Sequence, residues 1–200
     1  MNKISEAKNI LPYEGESVYY GKIFSTELSD EYLLYFLNEI PWKNDEAVIF
    51  GKHFITARKV AWYGDENYAY TYSNKTKVAL AWTQELLGIK KIVEKISGVT
   101  YNSCLLNLYQ DGNQGMGWHH DDEKGLGKDA NIASLTFGAE RRFDMRHKIN
   151  KEKVSIILEH GSLLVMRGTT QSNWHHQLAK SKKVKLPRVN LTFRTMLKSY

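Results

Sequence analysis

The sequence has a single cysteine, Cys104, and only three prolines in 200 residues. One cysteine cannot form a disulfide within the chain, and free thiols are typical of reducing compartments. We therefore expect an intracellular protein, cytoplasmic or nuclear, and not a secreted one. Apolar runs such as Leu163–Met166 are far too short to span a bilayer, so no membrane partner is expected.

Internal repeats, low-complexity segments and linker-like stretches are also missing, which predicts a single domain over residues 1–200. We also expect the protein to be a monomer. Hydrophobic residues make up 42% and charged residues 25%, as in ordinary globular proteins. The formal charge of +6 favours a polyanionic partner such as nucleic acid. It favours a generally basic, well-solvated surface to the same degree, so charge alone leaves both open.

Hydrophobic spacing predicts two helices in the first half of the chain. Residues 31–40 place apolar side chains on one helical face, with Ser29 and Asp30 as candidates for the N-cap. Residues 83–96 repeat the pattern and end at Gly98. These helices are expected to form an N-terminal layer on the rest of the fold.

After residue 103 the pattern changes to short β-type segments separated by Gly and Asn. These segments are Cys104–Tyr109, Asn131–Phe137, Arg142–Arg146, Val154–Leu158, Ser162–Met166, Asn173–Leu178 and Arg188–Arg194. Short strands at such intervals are typical of a sandwich or barrel. The sequence therefore predicts a mixed α/β protein whose residues 100–200 form a jelly roll, or double-stranded β-helix. Residues 1–20 show least pattern and are expected to be a loose arm.

Imidazoles and carboxylates are concentrated between residues 117 and 123. In an extended chain, alternate residues share a face, so an H-x-D pair can reach one ion. A third ligand is expected from the histidine pair His175 and His176. Two histidines and one carboxylate form the facial triad of non-haem iron(II) oxygenases, although zinc hydrolases also use such sets. Spacing alone does not choose between His119 with Asp121 and His120 with Asp122.

Further motifs accompany these ligands across the second half of the chain. They are Asn107–Tyr109 with Asp111–Gly112, His119–Glu123, Ala133–Gly138, Arg146–Lys148, His160–Leu164, Trp174–His176 and Pro187–Arg194. This series resembles the AlkB family of iron(II)- and 2-oxoglutarate-dependent dioxygenases, which repair alkylated nucleobases, and is most similar to the members that prefer duplex DNA. The resemblance selects His119, Asp121 and His176 as the iron ligands.

The resemblance also implies a site for 2-oxoglutarate, in which Arg188 and Arg194 hold the cosubstrate. A dicarboxylate suits the planar, bidentate fork of arginine, and an even offset of six lets both arginines face one interior. Asn107, Tyr109 and Asn190 match further polar contacts. Without the resemblance, Asn107 and Tyr109 would be read as ordinary strand-end hydrogen-bonding residues.

A nucleotide-recognition lid over residues 45–80 is implied by the same resemblance. Tyr72 takes the position that stacks on the flipped base, with Tyr70, Ser73 and Arg58 nearby. The alternative is a tyrosine-rich strand pair on a half-buried surface. Phe50, within residues 49–51, falls where a duplex-preferring relative carries an apolar wedge, and a buried strand end is an equal alternative.

Acidic and basic residues complete the implied substrate site. Asp122 and Glu123 match residues that read the base edge. Four basic residues match loops that contact the nucleic-acid backbone in relatives, although such charges are often simply solvated; they are Arg146, Lys148, Lys182 and Lys183.

The implied function is oxidative dealkylation of bases such as 1-methyladenine and 3-methylcytosine in DNA, with RNA also open as a substrate. Iron(II), 2-oxoglutarate and O2 are the implied cofactor and cosubstrates. One rival is the same chemistry on RNA or on a protein side chain. Another is a metal-retaining but inactive nucleic-acid-binding module, which would have no need of Arg188 and Arg194.

Overall fold

The computed structural model describes residues 7–49, 52–66, 68–72, 75–121 and 124–197. The strands are β1 (Lys8–Asn9), β2 (Glu16–Lys22), β3 (Lys43–Ile49), β4 (Lys52–Gly64), β5 (Ala69–Tyr72), β6 (Lys75–Val78), β7 (Ser103–Tyr109), β8 (Met116–His119), β9 (Ile132–Gly138), β10 (Arg141–His147), β11 (Lys153–Leu158), β12 (Ser162–Arg167), β13 (Trp174–Leu178) and β14 (Arg188–Arg194). The helices are α1 (Thr26–Glu39), α2 (Gln84–Ser97) and the single turn α3 (Thr170–Asn173), with a 3-10 turn at Lys124–Leu126. None of the described helices is long and apolar enough to cross a membrane.

Antiparallel sheets dominate the described part of the chain. Eight strands form one sheet in the order β1-β2-β12-β9-β14-β7-β4-β3, and four form a second in the order β11-β10-β13-β8. A separate hairpin joins β5 to β6. This mostly antiparallel architecture with few helices is consistent with the expected jelly-roll core.

The two faces of the large sheet serve different purposes, as β14 shows. Val189, Leu191 and Phe193 join the apolar core against α1 and α2. Their alternates, beginning with Arg188 and Asn190, are equally buried but polar. Since successive side chains of a strand point to opposite faces, β14 supplies a hydrophobic core on one side and a polar interior on the other.

A second apolar core lies between the two sheets. Ile132 and Leu164 from the large sheet pack with Phe143, Met145 and Trp174 from the small one. Sheets that face each other across such a core form a sandwich. The polar face of β14 therefore opens into the space between the sheets, at the edge of this second core.

Helix α1 begins five residues before the predicted start. The Ser25 hydroxyl accepts a hydrogen bond from the Leu28 N–H at 3.3 Å, so Ser25 is the N-cap. Ser29, which was expected to cap the helix, lies fully buried inside it, and the Asp30 carboxylate instead contacts His160 at 3.2 Å. The prediction of the N-cap was therefore wrong.

Helix α2 agrees with the sequence to within a residue at each end. Thr83 caps it by accepting the Leu86 N–H at 3.2 Å. Gly98 ends it in the left-handed conformation, with φ of 70°, and donates its N–H to the Glu94 carbonyl. This is the glycine stop that the pattern predicts.

Two expected peripheral segments contain strands of the large sheet. Residues 7–20, expected to be part of a loose arm, are not loose: β2 pairs with β12, and the Trp174 indole N–H contacts the Tyr13 and Glu14 carbonyls. Residues 59–64, within the expected lid, pair with β7. Both placements follow from buried apolar side chains, since Val18 and Tyr20 of β2 and Ala61 and Tyr63 of β4 belong to the apolar core.

We expect Gly98→Ala to lower the free energy of unfolding by about 1 kcal/mol, because a Cβ is unfavourable in the left-handed region. Gly88→Ala, within α2, is the matched control. An added Cβ meets nothing within 4 Å at either position, so only the backbone differs. Gly88→Ala should raise stability by roughly 0.5–1 kcal/mol. Urea denaturation measures the free energy of unfolding of both variants. Equal effects would contradict the assignment of Gly98 as the left-handed glycine that ends α2.

Candidate active site

Three side chains of metal-binding type meet at the edge of the small sheet. His119 ends β8, Asp121 follows two residues later, and His176 in β13 pairs directly opposite His119. Their ligand atoms all lie within 4.8 Å of one another. The sheet register thus brings together the three residues that the family resemblance selected as a metal triad.

Hydrogen bonds orient the first two of these side chains. The Nδ1 of His119 lies 2.8 Å from the Gly117 carbonyl, and donation to that carbonyl leaves Nε2 for a metal. The Asp121 N–H donates to the Gln171 side-chain oxygen at 2.9 Å. Arg194 donates to Oδ1 of Asp121 at 2.8 Å. The carboxylate is therefore fixed at both its main chain and its side chain.

His176 is buried and stacks on Phe143, with ring centroids 5.4 Å apart. Among the described residues its Nδ1 finds no hydrogen-bond partner. Buried polar atoms normally have a partner, so an imidazole whose nitrogen has none within the described protein is suited to bind a non-protein group such as a metal ion. The donor set of two imidazoles and one carboxylate fits iron(II), and this orphaned nitrogen is consistent with that fit.

Local electrostatics keep His176 and Asp121 in their metal-binding protonation states. Burial, together with His119, lowers the pKa of His176 to about 3, so its ring is neutral at neutral pH. Burial alone would raise the pKa of Asp121, but Arg194 and the neighbouring histidines outweigh it, and the net pKa is lowered. A neutral imidazole and an ionised carboxylate are the forms that bind metals.

The adjacent histidines stand apart from this group. His120 and His175 approach each other, with ring centroids 5.1 Å apart, and neither belongs to the cluster found among the described residues. Asp122, the carboxylate of the alternative pair, lies outside the described residues. Within the described part, the geometry favours His119 and Asp121.

A row of buried polar side chains continues along the inner face of β14. The Arg188 guanidinium, 2% exposed, donates to Thr136 Oγ1 at 2.8 Å and to Asn190 Oδ1 at 2.7 Å. It also lies 5.5 Å from the centre of the Tyr109 ring. Burial lowers the pKa of Arg188 to about 10, so the group remains cationic at neutral pH.

Unpartnered atoms mark the same site. Asn107 is buried on β7 directly opposite Asn190, and its Oδ1 has no hydrogen-bond partner among the described residues. The Nε of Arg188 also lacks a hydrogen-bond partner there. Buried polar groups are normally satisfied, so these atoms fit a bound polar molecule. The five residues that the resemblance assigned to 2-oxoglutarate, Asn107, Tyr109, Arg188, Asn190 and Arg194, share this face.

Arg58 occupies a wall of the site rather than an open surface. It forms an ion pair with Asp45 and donates to the Met116 sulfur at 3.1 Å. Burial lowers the pKa of Arg58, but Tyr109 and Asp45 outweigh it and the net shift is upward. The guanidinium is thus held between the β3–β4 hairpin, through Asp45, and the polar face of β7, through Tyr109.

The four residues predicted to contact the nucleic-acid backbone lie in two parts of the structure. Arg146 lies over the Trp118 ring at 4.3 Å, and Lys148 donates to the Gln171 carbonyl at 2.8 Å, both near the triad. Lys182 and Lys183 are exposed in the loop between β13 and β14. Tyr70 and Tyr72 lie in β5, although their side chains are outside the described part; Phe50, Ser73, Asp122 and Glu123 lie outside the described residues altogether.

Sequence reasoning missed several inward-facing polar residues. Ser134 donates to Asn190 at 2.9 Å, and Asn190 donates to Thr192 at 2.8 Å. Strict alternation along β9 and β14 could have found Ser134, Thr136 and Thr192. No pattern could have found Gln171, because it contacts Asp121 across fifty residues of chain.

Comparison with known proteins identifies the class to which this fold and site belong. The model of the 2OG-Fe(II) oxygenase superfamily matches residues 16–194. A solved structure of OsALKBH1 has a TM-score of 0.61 at 14% identity, covering 92% of this chain and 99% of that one. At that identity the likeness concerns the fold alone.

Curated relatives are more similar in sequence. Human alpha-ketoglutarate-dependent dioxygenase alkB homolog 3 is 40% identical over 168 residues, 79% of this chain and 58% of the relative. Human DNA oxidative demethylase ALKBH2 is 43% identical over 157 residues, 74% and 60% respectively. ALKBH2 of Arabidopsis thaliana is 30% identical over 215 residues, 94% and 68%. The chain belongs to the AlkB family within the 2OG-Fe(II) oxygenase superfamily.

The chain spans about three fifths of the length of the human relatives that it matches, 58% and 60%. The requirements of an iron(II)- and 2-oxoglutarate-dependent oxygenase follow from the family: Fe(II), 2-oxoglutarate and O2. The His119, Asp121 and His176 grouping is the place in this structure where iron fits.

We expect His119→Ala, Asp121→Ala and His176→Ala each to weaken Mn(II) or Fe(II) binding by roughly 100-fold or more, beyond the usual loss for an outer-shell partner. His120→Ala and His175→Ala are matched controls and should bind metal nearly as the parent does. Anaerobic calorimetry measures all five variants. Loss of binding in His120→Ala with retention in His119→Ala would show the other register to be correct.

Proposed function

We propose that this chain is an oxidative demethylase for alkylated nucleobases, of the 1-methyladenine and 3-methylcytosine type, in DNA. The observation that carries the proposal is the continuous inner face of β14. It joins a buried arginine with an unpartnered nitrogen, Arg188, to a second arginine, Arg194, which donates to the metal-type ligand Asp121. A dicarboxylate cosubstrate beside a metal is what this face can hold. The names of the human relatives agree with it.

Arg188 supplies the charge for the remote carboxylate of 2-oxoglutarate. Its guanidinium is already fixed by Thr136 and Asn190, so little side-chain freedom is lost when the cosubstrate binds. Asn107 and Tyr109 lie opposite on β7 and complete the polar wall. Arg194 lies at the metal end and keeps Asp121 ionised.

Bound iron(II) supplies the activation of O2. In the proposed reaction, 2-oxoglutarate and O2 give succinate and CO2, and one oxygen atom enters the N-methyl C–H bond of the base. The resulting N-hydroxymethyl base then releases formaldehyde and leaves the unmodified base. The chain's own contribution is to orient the cosubstrate and to exclude water between the two sheets.

Charge around the metal edge supports nucleic acid as the substrate. Arg146 and Lys148 lie beside the triad, and Lys182 and Lys183 are exposed on the β13–β14 loop, so phosphates can be neutralised on more than one side. Arg58 is committed to Asp45 and Met116, so we assign it to the wall of the pocket rather than to a phosphate.

Tyr72 is proposed to stack on the flipped base, with Tyr70 and Ser73 beside it and Asp122 and Glu123 at the base edge. Phe50 is proposed to fill the gap that the base leaves in a duplex. The support for all six is the family resemblance, together with the backbone position of β5 for Tyr70 and Tyr72.

Replacing Arg188 with Lys tests the cosubstrate site. Lysine keeps the charge but loses the planar fork, so the KM for 2-oxoglutarate should rise at least about tenfold, equivalent to about 1.4 kcal/mol. Steady-state succinate formation against 2-oxoglutarate concentration measures it. Arg142→Lys, on the outward face of β10, is the matched control and should keep the parental KM. An unchanged KM in Arg188→Lys would remove this residue from the cosubstrate site.

Replacing Tyr72 tests the lesion pocket. Tyr72→Ala should lose roughly 1–3 kcal/mol of binding to a 1-methyladenine oligonucleotide, whereas Tyr72→Phe should be nearly silent because stacking needs the ring alone. Uncoupled conversion of 2-oxoglutarate to succinate should survive both changes, since the cosubstrate face lies on β7 and β14. A parallel loss of both activities with a lower Tm would assign Tyr72 to packing instead.

One competition experiment tests the function as a whole. The protein is supplied with Fe(II), 2-oxoglutarate and O2, and offered methylated single-stranded DNA, duplex DNA and RNA together. Formaldehyde and succinate in equal amounts, with repair of a DNA arm, support the proposal. Preferential repair of RNA would favour the RNA rival, and DNA binding without succinate formation would identify a non-catalytic binding module.

A further inference from the structure

Arg141 is a buried arginine whose hydrogen bonds go to main-chain carbonyls. It starts β10 and is 2% exposed. Its guanidinium donates to the carbonyls of Gln114 at 2.8 Å, Ala179 at 2.7 Å and, at the longer distance of 3.4 Å, Asp111. Burying a cationic side chain is energetically unfavourable unless its N–H groups are hydrogen-bonded. These contacts therefore hold Arg141 in its buried position, and they connect it to the segments that carry the carbonyls.

These carbonyls belong to two segments that also hydrogen-bond to each other. One is the turn at residues 110–115, and the other is residues 179–185, here called the lysine loop. The Gly112 N–H donates to the Val184 carbonyl at 2.9 Å, and the Ser181 N–H donates to the Gly112 carbonyl at 2.7 Å. A Cβ at Gly112 would lie 1.9 Å from the Ser181 carbonyl oxygen, so the two segments approach too closely for any other residue.

The lysine loop, which Arg141 and the turn at residues 110–115 hold in place, concentrates positive charge. Four of the six residues from 180 to 185 are lysines and all four are exposed: Lys180, Lys182, Lys183 and Lys185. Like charges in so short a segment repel one another, and an unsupported loop would spread them apart. Arg141 adds a further positive charge beneath the loop, so its support comes from hydrogen-bond geometry and not from charge neutralisation.

We propose that Arg141 is a positioning residue that holds the lysine loop in the conformation that binds phosphate groups of the nucleic acid. The inference rests on the proposed function, in which Lys182 and Lys183 contact the backbone. Arg141 itself is buried and touches no phosphate. Because the loop is ordered before binding, the conformational entropy that a flexible loop would lose on binding is already removed.

The salt dependence of DNA binding reports this role. Each phosphate neutralised on a single strand contributes a slope of about 0.7 to the fall of log K with log salt concentration. The double variant Lys182→Gln/Lys183→Gln should therefore give a slope shallower by about 1.4. Arg141→Met should produce a similar change on its own. Adding the double lysine change to Arg141→Met should then have little further effect.

Fluorescence anisotropy with a methylated single-stranded oligonucleotide, across a series of salt concentrations, measures these slopes for the whole chain. Arg142→Met is the matched control: it removes the same formal charge from an outward-facing neighbour that pairs with Asp144 at 3.0 Å, and should keep the parental slope. A second measurement is trypsin cleavage. Arg141→Met should be cut faster after Lys182 and Lys183, while the remaining sites stay protected.

If Arg141→Met proves poorly folded, Arg141→Lys retains the buried charge without the fork and should give an intermediate slope and intermediate cleavage. A parental slope in a folded Arg141 variant, or fully additive effects of Arg141→Met and the lysine changes, overturns the proposal. A parental slope in Lys182→Gln/Lys183→Gln also overturns it. Succinate and formaldehyde formation by the unmodified chain, measured in parallel, shows independently whether the demethylase function stands.

Discussion

The ion pair between Arg194 and Asp121 is the interaction on which the rest of the site depends. Its 2.8 Å hydrogen bond joins the central strand of the large sheet to the metal-binding edge of the small one. Both side chains are largely buried, at 15% and 5% exposure, so neither charge is well solvated without the other. Removing one partner of such a pair usually costs about 3–5 kcal/mol because the other charge is left buried. The same contact that lowers the pKa of the Asp121 carboxyl thus holds β14 against the edge of the small sheet where the metal-type ligands meet.

Strand alternation lets one strand of this 200-residue chain supply both an apolar core and a polar interior. On β14, Leu191 belongs to the helix-side core, while its neighbours Asn190 and Thr192 line the polar interior. Asn190 and Thr192 hydrogen-bond within a ladder that also includes Ser134, Thr136 and Arg188. A hydrogen-bonded ladder of this kind fixes the polar wall, so a molecule bound there would not require the wall to reorganise.

The sequence predicted those parts of the fold whose pattern is local. The bounds of β14 and the glycine stop of α2 follow from periodicity. H-x-D spacing with a distal histidine pair narrowed the metal ligands to two registers, and the family resemblance chose between them. The start of α1 was missed because its first turn, from Thr26 to Asp30, is mostly polar and has little apolar periodicity. Alternation with Phe143 would have turned Arg141 inward, but two adjacent arginines look alike when only one strand is read. Contacts such as that of Gln171 with Asp121 depend on the tertiary fold and leave no local pattern.

The turn α3 connects the metal-type ligand Asp121 to the basic residue Lys148. Gln171 is 2% exposed, its side-chain oxygen accepts the Asp121 N–H, and its main-chain carbonyl accepts the Lys148 ammonium. One buried residue therefore supports a metal-type ligand and a cationic side chain at once. Since close-packed interiors transmit small displacements rather than absorb them, a displacement of this turn moves the hydrogen-bond acceptor of Asp121 and that of Lys148 together. The metal-type ligand and the neighbouring basic side chain are therefore held by the same turn.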